Sequence, residues 1–151
     1  MSREAAFPGA SCIPEAVLAA YRCAIYEVYP ADDCAGFVMR VDLPSDALEA
    51  VFATYAVSAA AFITACNPAG QALASEPNEL AQGRLLDDVT RAGYRSFPGA
   101  GRDPQGSWPS EASLLILEIR ESEAKALGTA YGQNAILFVG ADCTPRLVAL
   151  R

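Results

Sequence analysis

A single α+β domain with a mixed or antiparallel sheet is the fold this sequence predicts, on three observations. Residues 59–65 (AAAFITA) and 113–119 (SLLILEI) are apolar at nearly every position, as strands covered on both faces are. Helical periodicity separates such strands, most clearly at Leu48, Val51, Phe52 and Tyr55, whose i, i+3, i+4, i+7 spacing lines one helix face. From residue 59 onward the order is strand, helix, strand, strand, helix, strand, the split βαβ pattern of ferredoxin-like sheets. That pattern covers the C-terminal two-thirds, and an N-terminal hairpin precedes it. At 151 residues the chain fits one domain, assigned to 13–151, with 1–12 a loose N-terminal tail.

The elements follow in order. Pro14 suits the first turn of a helix reaching Tyr21. CAIYEVY (23–29) and GFVMRVD (36–42) read as strands around the turn residues ADDCAG, hence a hairpin. Pro44 and Ser45 open the helix of Leu48. After the strand at 59–65, Ser75 with Pro77 starts a helix whose inward positions are Ala81, Leu85, Val89 and Ala92, closed by Gly93. YRSF (94–97) is a short strand, and the Gly- and Pro-rich run from Pro98 to Ala112 is a long loop. Following the strand at 113–119, Ser122 caps a helix carrying Ala124, Leu127 and Tyr131, ended by Gly132. NAILFVG and RLVAL close the chain as strands.

Composition excludes several functions. A net charge of −7 with eleven unclustered basic residues disfavours nucleic acid, whose affinity comes largely from neutralising phosphates. The longest apolar runs, about eight residues, fall well short of the roughly 20 of a membrane helix, so no membrane association is expected. Phe7-Pro8-Gly9 interrupts any signal-peptide core, and a cytoplasmic protein is expected. The five cysteines, at 12, 23, 34, 66 and 143, are odd in number and lack C-x-x-C spacing. They read as small buried hydrophobes and free thiols, without disulfide or metal. Histidine is absent, which removes the commonest general base, the commonest metal ligand and any Ser-His or Cys-His pair. No cofactor is implied.

With right-handed crossovers, the strand directions bring the connections at 66–75, 98–112 and 132–134 to one sheet edge. These hold most of the unusual polar residues. The first has Thr64, Asn67 and Gln71 leading to Asn78; neutral amides suit fixing a polar ligand. The following helix would aim its positive end there, favouring an anion. Asn67-Pro68 is equally a plain turn. The second contains Trp108, the only Trp, with Asp103, Glu111 and Ser113. Shielded by Trp108, Glu111 would have the raised pKa of a catalytic acid or base; otherwise Trp108 plugs the core and Glu111 accepts backbone N–H bonds. The third, YGQNA, has Gln133 and Asn134, which need partners if buried or else occupy a tight turn.

FITACNP at 62–68, the following Gln71 and Asn78, GAGRDP, WPSEAS and YGQNAI together resemble a bacterial domain-of-unknown-function family, DUF3293. The resemblance spans about residues 21–150 and implies no activity or catalytic residue. Cys66 stands where the family often has a bulky aromatic, so no nucleophile role is carried to it. The resulting expectation is a polar small-ligand pocket at one sheet edge. Glu111 would be its catalytic group, with Thr64, Asn67, Gln71, Asn78, Trp108, Ser113, Gln133 and Asn134 binding a small polar or anionic ligand. The alternative is a non-catalytic interaction or regulatory module binding a protein partner. Whether a reaction is catalysed stays open between them.

Overall fold

Apolar residues that alternate along the strands fill opposite faces of one sheet. The computed structural model describes residues 13–31, 34–68 and 71–151; the expected tail at 1–12 lies outside them. The elements are α1 (Glu15–Cys23), β1 (Ile25–Val28), β2 (Phe37–Met39), α2 (Asp46–Tyr55), β3 (Ala60–Thr64), α3 (Ser75–Arg91), β4 (Ser96–Arg102), β5 (Glu111–Leu117), α4 (Glu121–Ala130), β6 (Ala135–Val139) and β7 (Pro145–Ala149). The strands form one sheet in the order β2-β1-β4-β5-β3-β6-β7, and every neighbouring pair is antiparallel. The fold is α+β, with the N-terminal hairpin joined to β4.

The sheet is larger and more curled than a four-stranded ferredoxin-like unit. Although β2 and β7 are opposite edges, the Asp42 N–H donates to the Pro145 carbonyl (2.8 Å) and the Ser45 N–H to that of Cys143 (3.1 Å). The chain leaving β2 thus meets the start of β7 and draws the edges together.

On one face, Ala60 and Phe62 pack with Leu115, Leu117, Leu137 and Val139 under Leu48, Val51 and Phe52 of α2. Ser45 caps this helix, accepting from the Leu48 N–H at 3.1 Å. Burying those three α2 side chains contributes about 5–8 kcal/mol before entropy is subtracted. On the opposite face, Ala61, Ile63, Leu114, Ile116 and Ile136 pack against Ala81, Leu85 and Val89 of α3 and Ala124 of α4. Ser75 begins α3 as expected, behind the N-cap Ala74, whereas Ser122, expected as a cap, lies inside α4, whose N-cap is Arg120; neither cap makes a side-chain cap bond.

The largest departure from expectation is β4. Its strand continues through Pro-Gly-Ala-Gly-Arg, a run whose composition reads as loop, and the loop proper shrinks to 103–110. The run is held from both sides: Gly99 pairs with Val28 of β1 and with Ser113 of β5. A Cβ on Gly99 would stand 2.1 Å from the Glu27 carbonyl oxygen, so glycine here permits close approach of the neighbouring backbone. Gly101 differs, because its Cβ would meet the Tyr26 ring at an ordinary 3.5 Å.

Gly99→Ala should therefore lower stability by at least about 2 kcal/mol, while Gly101→Ala stays within about 1 kcal/mol of wild type. Urea denaturation of both variants checks this; equal losses would mean that the tight β1–β4 approach does not limit stability.

Candidate functional site

The face that carries α2 changes character along its strands. Read toward the end where β3 stops, β5 presents Leu117, Leu115, Ser113 and Glu111, and β3 presents Ala60, Phe62 and Thr64. On β4 the same positions are Gly99 and Gly101, so no side chain fills the space above them. Tyr26, paired with Gly101 across from Glu111, lies edge-on to Phe62 with ring centroids 5.7 Å apart. The apolar half is plugged by α2; the other half opens into a cleft of about 1350 Å³.

The three loops expected at one edge do meet there, and Asn67 joins two of them. It follows β3 in a left-handed conformation, φ 49°, which Asn tolerates better than most residues. Its Oδ1 accepts from the Leu73 N–H and from Asn78 Nδ2, both at 2.8 Å. Its own N–H donates to Asn78 Oδ1 (2.9 Å) and its Nδ2 to Glu111 Oε2 (2.7 Å). The third loop docks through Gln133, whose Nε2 donates to the carbonyls of Cys66 (3.1 Å) and Tyr131 (3.2 Å). A Cβ on Gly132 would come 3.1 Å from that of Pro68.

Several nominated residues are thus engaged by the protein itself. Thr64 donates to the Ala112 carbonyl (2.7 Å) and accepts from the Cys66 N–H (2.9 Å). The buried Ser113 hydroxyl donates to the Glu111 carbonyl (3.0 Å). Asn134 Nδ2 meets the Tyr21 hydroxyl at 3.2 Å, bringing α1 to the cleft. Gln71 is exposed, and it and Trp108 line the cleft with no side-chain hydrogen bond among the described residues. Tyr21, Tyr26, Phe62, Gly99 and Gly101 also line it; sequence reasoning did not nominate them. The glycine alternation in GAG was the available signal. A second cavity of about 370 Å³ between α3 and α4 is lined mainly by apolar groups such as Val89 and Leu127.

The two acids of the 98–112 segment are shifted in opposite directions. Burial pushes the Glu111 carboxyl above the usual carboxylate range, only partly offset by the Asn67 bond. Hydrogen bonds from Ser107 hold Asp103 below that range; Asp103 accepts from the Ser107 hydroxyl and N–H and so orders the loop. Among the described residues, Glu111 Oε1 has no hydrogen-bond partner. Burial also pushes up the Cys66 thiol, helped by the Glu111 charge, so little reactive thiolate forms near neutral pH. Cys23, Cys34, Cys66 and Cys143 are all free. No helix among the described residues is long and apolar enough to cross a membrane.

Residues 63–136 match the family model described as a protein of unknown function, DUF3293. The match supports the resemblance to DUF3293. Its span runs from the end of β3 to the start of β6 and includes all three loops and every nominated residue. No curated protein and no solved structure matches the chain.

Asn67→Ala would leave the Leu73 N–H, Asn78 Nδ2 and Glu111 Oε2 without these partners and place alanine in a left-handed conformation. It should cost about 2–3 kcal/mol, a melting-temperature drop of several degrees. Glu111 behaves differently. With its pKa raised in the folded state, its stabilising contribution is complete below the unfolded carboxyl value and lost as pH rises through the folded one. Glu111→Gln still accepts from Asn67 without that loss. The variant should melt at or above wild type at about pH 7.5, its advantage narrowing toward about pH 4. Wild type gaining on the variant as pH rises would instead make the charged Asn67 bond dominant.

Proposed function

We propose that the cleft at the open end of the curled sheet binds a small polar ligand, with Glu111 as the group that contacts it and Asn67 as the residue that positions Glu111. One observation carries this reading: Glu111 is held through a single oxygen inside a largely apolar cleft while its second oxygen has no hydrogen-bond partner among the described residues. Folding alone favours pairing both oxygens or replacing the carboxylate. If a reaction takes place, a carboxyl with a raised pKa suits proton transfer near neutral pH. We further place the protein in a bacterial cytoplasm, on the family it resembles and its free thiols.

A protein-binding role is the second reading. It is favoured by Leu80, 59% exposed on α3, which with the cleft-lining Leu73 and Leu86 (43% and 45% exposed) makes an apolar strip that an apolar partner would cover.

A small-molecule library screened by thermal shift discriminates between the two. Ligand binding to the folded state must raise the melting temperature, and hits should also perturb the emission of Trp108. Glu111→Gln should weaken those hits, whereas Leu80→Glu should not. A library without hits, or hits indifferent to Glu111→Gln, would remove the cleft assignment.

A further inference from the structure

We infer that the ligand of this cleft is an ammonium cation, a primary or secondary amine carried on a small apolar body. The inference rests on the cleft reading above and narrows it.

Its basis is which polar atoms the protein leaves unused. Gln133 is only 7% exposed and lines the cleft. Its amide orientation is dictated by its partners: the two atoms facing it are the carbonyl oxygens of Cys66 and Tyr131, which only the nitrogen can satisfy. Oε1 is therefore a buried acceptor with no partner among the described residues. Glu111 is constrained likewise. Asn67 must turn its Oδ1 to the Leu73 N–H, so its Nδ2 meets Glu111 Oε2 and leaves Oε1 over. The two unused acceptors belong to side chains bonded to consecutive residues, Cys66 and Asn67.

A pair of acceptors, one of them a carboxylate, repels an anion and is complemented by a group that brings several N–H donors and a positive charge. An ammonium also restores the ionised form of a carboxyl that burial disfavours. The aromatic rings of Tyr21, Tyr26 and Trp108 along the same cleft offer cation–π faces and an apolar wall. The net charge of −7 draws cations toward the protein.

Three probes of one shape test this: phenethylamine, 2-phenylethanol and 3-phenylpropanoate, titrated at neutral pH against the full chain. Trp108 emission and the melting temperature are the readouts; a single Trp makes the emission specific to the cleft. Phenethylamine should bind at least about tenfold more tightly than either analogue, as a charge-assisted hydrogen bond implies. Glu111→Gln should erase most of that preference, weakening phenethylamine far more than 2-phenylethanol. The wild-type ranking decides by itself if the variant proves unstable. Tighter binding of 3-phenylpropanoate or equal binding of all three overturns the ammonium assignment but leaves the cleft a ligand site. Failure of all three alongside hits in the broader library has the same meaning. Failure of all three together with an empty library overturns the cleft reading as well.

Discussion

Among the described residues four hydrogen bonds converge on Asn67, and the arrangement of the cleft depends on them. They reach Leu73, both polar ends of the Asn78 side chain, and Glu111. The exit of β3, the approach to α3 and the first residue of β5 are thereby fixed to one another. α3 packs on the sheet face opposite α2 through Ala81, Leu85 and Val89, while Asn78, Gln82 and Leu86 on its other side reach the cleft. A left-handed residue at the strand end turns the chain from one face toward the other, and the amide reaches back to the face it left. Asn combines a tolerated positive φ with two donors and an acceptor. Gln has the same amide but a longer stem and poorer tolerance of that backbone.

Much of the fold is legible in the sequence where burial dictates composition. β3 and β5, flanked by neighbours and covered on both faces, are uniformly apolar, and α2 is visible in the period of Leu48, Val51 and Phe52. Legibility fails where composition answers to a neighbour distant in sequence. Within Pro98-Gly99-Ala100-Gly101, which has the residues of a loop, Gly99 is glycine because β1 approaches too closely for any side chain. Local propensity cannot register that contact, since Glu27 lies more than seventy residues away. Capping fails for a related reason. Ser122 is a good cap residue placed two positions after the actual N-cap, Arg120, since propensity is a weak prior on where a helix starts.

The candidate site was legible as a set of residue types and a shared edge; the division of labour within it was not. Thr64, Asn67, Asn78 and Ser113 are polar because strand ends and tight connections leave backbone groups that side chains must satisfy. A sequence shows the amide and not its partner, so a clamp and a ligand contact look alike. Gln133 falls between the two roles, with its nitrogen holding carbonyls and its oxygen unused. Gly99 and Gly101 contribute by omission, because the cleft exists where β4 presents no side chain. Tyr26 and Phe62 were invisible as site residues because aromatic residues on strands ordinarily mean core.

Glu111 is where structural need and observed chemistry part. The Asn67 amide requires one acceptor at that point, and an amide oxygen would serve without the cost of burying a charge. A leucine would extend the apolar face that Leu115 and Leu117 begin, with the clamp then needing another acceptor. The chain carries neither. It holds a carboxyl whose burial raises its pKa, beside Tyr26, whose hydroxyl pKa is raised first by burial and further by the Tyr21 and Glu111 charges, at the end of the sheet that opens into the cleft. The other acid of the segment differs: hydrogen bonds from Ser107 to one Asp103 oxygen hold that carboxyl below the usual range. The ionisable group at 111 is thus surplus to the hydrogen bond it makes, and that surplus, half-buried in a cleft, is the ground on which a binding role is proposed for it.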